Sequence, residues 1–441
     1  MTSPSSLINP SDSGYDAARM AFDLSDQKPA AVCTPTTVAE VQEAVIYARE
    51  NGLKLANQAT GHVAVALPPL EETLLLKPAI DIEPVINAAE GYARVGAGTR
   101  WGPVVNAAGE HGLAAMHGSS PTVGVVGYHL GGGLSFYGRK HGLACNRVRA
   151  IEVVTADGEV GRVDHENEPD LFWALRGGGG LFATVTAIEF DLLPLGEVFG
   201  GISFWPVELG EEALSAWLDW TRSAPDSVTT SFRFMNLPPL ETVPEPIRGK
   251  SLVAIDGVAI DHADGEALAS LLAGIGEPVL GQWGPMPAPA VSSLHGDPED
   301  PIPAIGNSTL LNDVSDELIG ALNEAAGGES GSSLIATELR QLGGALGRPD
   351  ENGGVANRID GEFIAFGVGL ATDPGTAGKT GEDLARIFES VSPWESGRQF
   401  YNFAIAGSTC ANCFPEEAIE ALRAIRHEYD PEGLYVAPLA L

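Results

Sequence analysis

The first regular pattern along the chain is a set of apolar positions at helical spacing, and a short alternating segment follows it. Residues 36–52 predict a helix, because Thr37 and Glu40 stand three positions apart, as in a capping box. Gly52 stands where such a helix would end. The next residues alternate as in a strand, and this strand runs into Gly61-His62.

Strand patterns with marked turns continue to about residue 196. Residues 149–163 predict a hairpin, with Asp157-Gly158 as its turn. Residues 169–175 predict a short helix that ends in four consecutive glycines, and residues 184–195 predict a further strand.

Beyond about residue 200, long helical patterns alternate with apolar strand patterns. The helices are predicted at 211–224 and 265–276, and the strands at 229–236, 250–260 and 361–371. Residues 284–307 are rich in Pro and Gly and predict a long surface loop, placed as a lid would be. Residues 415–433 predict a final amphipathic helix.

Charge narrows the choice of partners. The 441 residues include 25 basic and 59 acidic side chains, a formal net charge of −34. Such a surface repels nucleic acids and anionic membranes, so we expect neither as a partner. No apolar stretch of about 18 residues predicts a membrane span, and residues 1–31 lack the pattern of a secretory signal. The expectation is a cytoplasmic monomer or homodimer.

Four cysteines are too few for a disulfide framework in a chain of this length. Cys410 and Cys413 have CxxC spacing, but a zinc site needs four ligands and no second Cys/His pair has suitable spacing. We predict no metal site. Two readings of the pair stay open, free thiols or a local disulfide.

Glycine-rich segments carry the candidate chemistry. Glycines at Gly61 and within residues 118–133 expose backbone amides, and such amides can wrap a pyrophosphate without nearby positive charge. Neither segment is a Walker loop or a Rossmann fingerprint, because the Lys and the glycine spacing of those motifs are missing. The run Gly177–Gly180 suggests close backbone approach to something flat or bulky, or a hinge.

The order of these motifs resembles a known family. It runs from Gly61-His62 through GAGTRW, GSSPTVGVVGYHLGGG, HGLACNRV and DLFWALRGGGG to VTAIEF. Over about residues 14–197 this is similar to the PCMH-type FAD-binding domain, named for p-cresol methylhydroxylase, and especially to berberine-bridge-enzyme-like oxidases of the vanillyl-alcohol-oxidase superfamily.

The resemblance implies a fold and a cofactor. The expected class is α+β, with a two-subdomain PCMH-type FAD-binding domain and a substrate domain whose antiparallel sheet is backed by helices. The FAD domain would span 1–199, with its core at about 27–197, the substrate domain 200–395, and residues 396–441 would return to the FAD domain. The implied FAD contacts are Ala59, Thr60, Gly61, His62, Val63, Gly118, Ser119, Ser120, Thr122, Val123, Gly124, Gly127, Tyr128, Leu130, Gly142 and Val185.

Three of these positions bear on the flavin chemistry that the resemblance implies. His62 matches the residue that attaches FAD covalently in the family, so a single histidyl link stays open. Ser120 replaces the cysteine of the family's second link, so a cysteinyl bond is excluded. Val123 matches the oxygen gatekeeper and is of a type associated with oxygen access, which favours an oxidase.

The catalytic base is harder to identify. Some family members use a tyrosine at the end of a Tyr-x-Asn-Tyr motif, where this chain has Phe403. Tyr401 and Asn402 precede it, and Tyr401 is expected on a strand. Glu338 and Glu362 are expected on strands of the second domain, where burial would raise the pKa of a carboxyl and suit it to act as a base.

The function expected from the resemblance is an FAD-dependent oxidase. It would remove a hydride from a C–OH or C–NH carbon of a small alcohol, sugar or natural product and reduce O2 to H2O2. The alternatives are a flavin dehydrogenase with another electron acceptor and a catalytically silent flavin-fold binding protein.

Overall fold

The computed structural model describes residues 4–80 and 82–441, so residues 1–3 and 81 of the first predicted domain lie outside the described residues. The strands are β1 Leu7–Ile8, β2 Ala31–Cys33, β3 Lys54–Asn57, β4 Thr73–Leu76, β5 Val85–Asn87, β6 Tyr92–Gly96, β7 Val148–Val154, β8 Val160–Val163, β9 Thr184–Asp191, β10 Glu197–Pro206, β11 Val228–Asn236, β12 Ser251–Ala259, β13 Leu280–Pro287, β14 Ala304–Leu311, β15 Ala336–Gln341, β16 Phe363–Leu370 and β17 Tyr435–Val436. The helices are α1 Tyr15–Ala18, α2 Val38–Glu50, α3 Trp101–Gly109, α4 Val125–Leu130, α5 Gly138–His141, α6 Pro169–Leu175, α7 Gly210–Thr221, α8 His262–Leu272, α9 Glu317–Ala326, α10 Pro374–Val391, α11 Cys410–Cys413 and α12 Glu416–Tyr429.

The first sheet is built from both ends of the described chain, in the order β1-β2-β4-β3-β17. Helix α2 begins at the predicted capping box, in which Thr37 accepts from the Glu40 amide and the Glu40 side chain reaches back. Its buried apolar face belongs to the same hydrophobic cluster as the β2, β3 and β4 side chains. Strand β17 pairs in parallel with β3, so the C-terminal segment completes this sheet.

The second sheet is antiparallel, in the order β5-β6-β9-β7-β8. The predicted hairpin is confirmed: β7 pairs with β8, and Gly158 has φ +88° in the turn. The predicted short helix is α6, and the glycine run follows it directly. This second unit therefore brings the glycine-rich loops and the four-glycine run into one core.

The third sheet has seven antiparallel strands in the order β13-β10-β12-β11-β15-β16-β14. It begins at Glu197, three residues before the predicted boundary at 200. Side chains such as Phe232, Ile255 and Leu339 pack against α7, α8, α9 and α10, as predicted for a sheet backed by helices. Because side chains alternate along a strand, residues such as Arg233 lie on the opposite face.

The prediction of a long loop at 284–307 is largely wrong. Pro285 and Pro287 lie on β13, an edge strand of the seven-stranded sheet, where a missing N–H costs no ladder bond. Residues 288–293 form a 3-10 helix with Ala288 and Val291 buried. Residues 294–303 are what remains of the loop between this 3-10 helix and β14.

The cysteine alternatives are resolved in favour of free thiols. All four cysteines lie in the described ranges, and none is in a disulfide. Cys410 and Cys413 form the single turn of α11, and burial raises the pKa of both thiols to about 12. Within residues 4–80 and 82–441, no helix is long and apolar enough to cross a membrane.

Candidate functional site

The two glycine segments of the first half meet in space. Gly61 has φ +81°, and a Cβ there would lie 2.8 Å from the Ala21 Cβ, so this turn requires glycine. His62 Nε2 lies 3.3 Å from Thr122 Oγ1. A Cβ on Gly124 would lie 3.1 Å from the Ala59 Cβ. The Gly61-His62 turn and the Ser119–Gly124 segment therefore form one surface.

His62 is held as a neutral imidazole on this surface. Thr60 Oγ1 lies 2.7 Å from Nδ1, and the Phe22 ring stacks on the imidazole with centroids 3.9 Å apart. Burial lowers the pKa of His62 to about 4, Arg100 lowers it further, and Asp297 opposes the shift. Both ring nitrogens lie next to a threonine hydroxyl, so the ring orientation is fixed from two sides.

Asn402 holds the second glycine turn. Gly133 has φ +78°, and its amide donates to Asn402 Oδ1 at 2.7 Å. The Asn402 Nδ2 donates to the Tyr128 carbonyl at 3.2 Å at the end of α4. A Cβ on Gly131 would overlap the same amide group. The side chain predicted as catalytic is thus engaged in shaping the loop.

The side chain of Tyr401 packs against the four-glycine run, Gly177–Gly180. Tyr401 lies in a 3-10 helix, Tyr401–Phe403, rather than on the predicted strand. It is buried, and a Cβ on Gly179 would overlap its hydroxyl. The flat group expected beside the glycines is therefore a side chain of the protein itself. Phe403 faces elsewhere, with Arg340 over its ring at 5.4 Å and Phe366 at 5.6 Å.

Other predicted FAD positions surround these turns. Tyr128 is buried against Gly118 and Gly133, since a Cβ on either glycine would come within 3.1 Å of its ring. The Leu130 carbonyl accepts from the Gly179 amide at 2.9 Å. The remaining positions flank the same loops: Val63 beside His62, Ser120 and Val123 beside Thr122, Gly127 within α4, Gly142 after α5, and Val185 buried on β9.

Buried polar atoms near the glycine turns fit a long polar cofactor such as FAD. In the described part of the chain, Asn57 Nδ2, both amide atoms of Gln58, His117 Nε2 and Tyr128 Oη are buried without a hydrogen-bond partner. Buried donors and acceptors are rarely left unpaired, so these atoms have capacity for a ligand. Glycine amides, threonine hydroxyls and these groups together suit phosphate, hydroxyl and ring atoms.

A cluster of charged side chains lies on the sheet face opposite the helices. The buried charge cluster consists of Arg233, Asp256, His295, Glu338 and Arg340. Register places Arg233 directly across from Glu338, and places Ser231 across from both Asp256 and Arg340. Each member is at least nine-tenths buried except Arg340, whose side chain is 12% exposed.

Within this cluster each charge is paired. Asp256 Oδ2 lies 2.6 Å from Arg233 Nη2 and 2.8 Å from His295 Nδ1. Arg340 donates two hydrogen bonds to the Glu338 carboxylate, at 2.6 and 3.2 Å. Its Nη2 also lies 3.0 Å from His295 Nε2. Such pairing is what permits charges to be buried at all.

The expected role of Glu338 is contradicted by its surroundings. Burial alone would raise its pKa, but Arg340 and His295 outweigh burial and hold the pKa well below its usual range. Glu338 is thus a poor proton acceptor. Glu362 is also wrong as a buried strand base: it is exposed, precedes β16, and accepts from the Val314 amide at 3.1 Å.

His295, unlike Glu338, has a raised pKa. Burial lowers its pKa and Arg233 lowers it further, but Asp256, Glu338 and Asp297 raise it to about 9. Asp297 is one-third exposed, and its Oδ2 accepts from Ser119 Oγ at 2.6 Å. The glycine segment and the buried charge cluster are therefore connected through one carboxylate.

Sequence reasoning missed most of this cluster. Two indications were present, since Arg233 and Asp256 each interrupt an apolar strand pattern, and a buried charge requires a partner. His295 and Asp297 were assigned to a surface loop because of the prolines around them. His117 and His129 are both buried, and the Nδ1 of each ring is bonded to a backbone carbonyl.

Comparison with known proteins identifies the first part of the chain. Residues 29–164 match the family described as FAD binding domain. The chain carries an FAD-binding domain. This domain holds the Gly61-His62 turn and the Ser119–Gly124 segment, and the predicted cofactor is thereby supported.

A curated relative is similar to the chain over part of its length. The (R)-6-hydroxynicotine oxidase of Paenarthrobacter nicotinovorans is 32% identical over 229 residues, which are 51% of this chain and 50% of that protein. The chain thus spans about half the length of the curated relatives it matches, or less.

Solved structures resemble the whole chain, not the FAD-binding domain alone. The wild-type BBE-like 1 protein of Physcomitrella patens has a TM-score of 0.82 at 21% identity, over 98% of this chain and 96% of that chain. The 6-hydroxy-D-nicotine oxidase of Arthrobacter nicotinovorans has a TM-score of 0.80 at 24% identity, over 97% and 96%. The predicted PCMH-type, berberine-bridge-enzyme-like fold is confirmed.

Proposed function

We propose that the protein is an FAD-dependent oxidase of a small organic substrate that carries a C–OH or C–NH group. The proposal rests on the contact between the Gly61-His62 turn and Thr122. In the same segment as Thr122, Ser119 bonds Asp297, and Asp297 lies beside His295 of the buried charge cluster. Relatives named as oxidases, such as the hydroxynicotine oxidase, support this class of reaction.

The substrate would bind between the FAD-binding domain and the seven-stranded sheet. A cavity of only about 10 Å³, the size of one water molecule, lies there and is lined by Ser119, Leu134, Ser135, Phe136, Thr229, Arg340 and Gln341, so these side chains would move apart to admit a substrate. Bound FAD would supply hydride acceptance and transfer of electrons to O2 to give H2O2. Arg340, fixed by Glu338, would orient a polar substrate group, and Phe403 and Phe366 would exclude water.

The residues predicted from the resemblance would hold FAD as follows. Amides around Gly61 and Gly124 would face the pyrophosphate, and His62 would face the flavin ring. A neutral imidazole has a free lone pair, so the lowered pKa of His62 suits a covalent bond to the flavin. Ser120 carries no thiol and forms no second bond.

The deciding experiment is a visible spectrum of the purified protein before and after acid precipitation. We expect a flavin spectrum, flavin that stays with the wild-type precipitate, and flavin that His62→Ala releases to the supernatant. Failure of the protein to take up added FAD would refute the proposal, whereas soluble flavin from the wild type would refute only the covalent bond.

Oxygen use is a separate part of the proposal. Val123 supports an oxidase, and addition of a sugar, alcohol or amine that reduces the flavin should then yield H2O2 in air. Reduction by substrate without H2O2 would favour a dehydrogenase with another acceptor. Cytoplasmic location, a monomer or homodimer, and the domain boundaries are part of the same proposal, and fractionation, light scattering and limited proteolysis would test them.

A further inference from the structure

Oxidation of an alcohol or amine by hydride transfer leaves a proton to be removed from the substrate's O–H or N–H group. Glu338 is unsuited to accept this proton, because Arg340 and His295 lower the pKa of its carboxyl and make the carboxylate a weak base. The inference below rests on the proposed function and concerns where that proton goes.

His295 is oriented like the base of a catalytic dyad. Its Nδ1 donates to Asp256 Oδ2 at 2.8 Å, and Asp256 is fully buried and pinned by Arg233 at 2.6 Å. The other nitrogen, Nε2, accepts from Arg340 Nη2 at 3.0 Å and lies 3.5 Å from Glu338 Oε2 and 3.9 Å from Asp297 Oδ1. A buried carboxylate that fixes the tautomer in this way makes the far nitrogen a proton acceptor.

The charge balance favours proton uptake at that nitrogen. The buried charge cluster has two guanidinium groups and two carboxylates, and Asp297 adds a third carboxylate. With a neutral imidazole the group carries one net negative charge, and a proton on His295 cancels it. A buried net charge is costly, so protonation of the ring is stabilised by its surroundings.

Asp297 connects this acceptor to the proposed flavin surface. Its side chain is 34% exposed, and its Oδ2 is bonded to Ser119 Oγ at 2.6 Å. Its Oδ1 lies 3.9 Å from His295 Nε2, so Asp297 lies between the Ser119–Gly124 segment and the buried charge cluster.

We propose that Asp297 and His295 form a two-step proton relay. As the C–H hydride leaves toward FAD, the O–H or N–H bond of the substrate breaks and its proton forms an O–H bond on Asp297. Rotation of this partly exposed carboxylate then delivers the proton to His295 Nε2, which gives up its contact with Arg340. The electron pair of the C–H bond goes to the cofactor, so no further oxidant is required. After hydride transfer the proton returns from His295 Nε2 to Asp297, and Asp297 releases it to solvent.

The relay predicts an alkaline rise in the rate of substrate oxidation. His295 is faced by Arg233 and Asp256 on one side and by Asp297, Glu338 and Arg340 on the other, and these groups set its pKa at about 9. His295 can accept the substrate's proton only in its neutral form. The rate of flavin reduction should therefore increase as pH rises from 7 to about 9.

The test compares Asp297→Asn and His295→Gln with Asp300→Asn, an exposed neighbour in the same loop. Anaerobic flavin reduction by 6-hydroxynicotine, glucose or benzyl alcohol is followed by stopped flow from pH 6 to 10. Loss of a general base lowers rates by roughly 100-fold or more. We expect that loss in Asp297→Asn, a flattened pH profile in His295→Gln, and wild-type behaviour in Asp300→Asn.

A second readout needs neither FAD nor substrate. In the flavin-free protein, NMR of labelled histidine should show one ring titrating near pH 9, absent in His295→Gln and moved to lower pH in Asp297→Asn. The relay would be overturned if the ring of His295 titrated below pH 7, or if Asp297→Asn and Asp300→Asn had equal rates of flavin reduction. Lack of FAD uptake would instead overturn the proposed function, and the NMR titration would still decide whether Asp297 and His295 are coupled.

Discussion

At the scale of single residues, the protein is organised by pairs that shift each other's proton affinity. Asp256 and Glu338 are as deeply buried as many leucines, yet their pKa values are lowered because arginine and histidine partners outweigh burial. His295 is shifted the other way, to about 9, by its carboxylate neighbours. Local partners therefore decide the sign of each shift, and burial by itself does not.

These shifts predict how stability depends on pH. The pKa of His295 is raised on folding, so its contribution is complete below pH about 6.5 and is lost as pH rises through about 9. A shift of this size corresponds to about 3 kcal/mol. Asp256 and Glu338 have lowered pKa values and act in the opposite sense, so their contribution is lost as pH falls below about 4.

Urea unfolding at pH 6.5, 8 and 9.5 checks this expectation. The free energy of unfolding of the wild type should fall across this range, and His295→Gln should show a much weaker dependence. His111→Gln, a surface histidine, serves as the matched control and should follow the wild type. Equal slopes in His295→Gln and the wild type would contradict the assignment.

At the scale of elements, glycine turns decide how closely neighbouring segments approach. Helix α4 ends at Leu130, and the following glycines turn back over Tyr128 while Asn402 holds the turn from the C-terminal segment. The amides of Gly131, Gly132 and Gly133 are bonded within this loop or to Asn402, whereas the hydroxyl of Tyr128, a predicted FAD position, is buried without a hydrogen-bond partner. Backbone conformation in this loop is therefore tied directly to the proposed cofactor surface.

A single methyl group should disturb this turn. Gly133 has φ +78°, and a Cβ there would lie 2.5 Å from the Tyr128 ring and 2.8 Å from the Ala144 Cβ. Strain and overpacking together should make Gly133→Ala less stable by about 3 kcal/mol and weaken FAD binding. Gly320→Ala, in the interior of α9 with open space around it, should gain about 0.5–1 kcal/mol. Urea titration and flavin fluorescence measure both effects, and similar behaviour of the two variants would refute this view.

The sequence predicted the helices and turns well, but it did not predict how the buried charged side chains pair. The capping box at Thr37, the hairpin at Asp157-Gly158 and the helix before Gly177 follow local rules that need no tertiary context. The role of Glu338 could not be predicted in the same way, because its partner His295 comes from a segment far along the chain. The prolines near His295 suggested a loop, although an edge strand tolerates them equally well.

At the scale of the whole molecule, the first sheet depends on residues from both ends of the described chain. Tyr435 on β17 is fully buried, and its hydroxyl donates to the Val154 carbonyl at 3.0 Å. Asp430 accepts from the amides of Leu434 and Tyr435 at 2.6 and 2.9 Å and so sets the angle at which β17 enters the sheet.

Truncation of this side chain should therefore weaken the whole protein. We expect Tyr435→Ala to lose about 3–5 kcal/mol of unfolding free energy through the cavity it leaves. Tyr435→Phe keeps the ring and should lose only about 1 kcal/mol, the net value of one hydrogen bond. Calorimetry of the two variants separates these terms, and equal losses would mean that packing of the ring is not what joins the segments.

The parallel pairing of β17 with β3 also has a consequence for biosynthesis. Strand β3 leaves the ribosome early, but the neighbour it needs is translated several hundred residues later. Until then the nascent chain exposes an open strand edge, of the kind that chaperones cover and that invites aggregation. Maturation of the cofactor surface beside β3 should accordingly be a late event, after β17 has been translated.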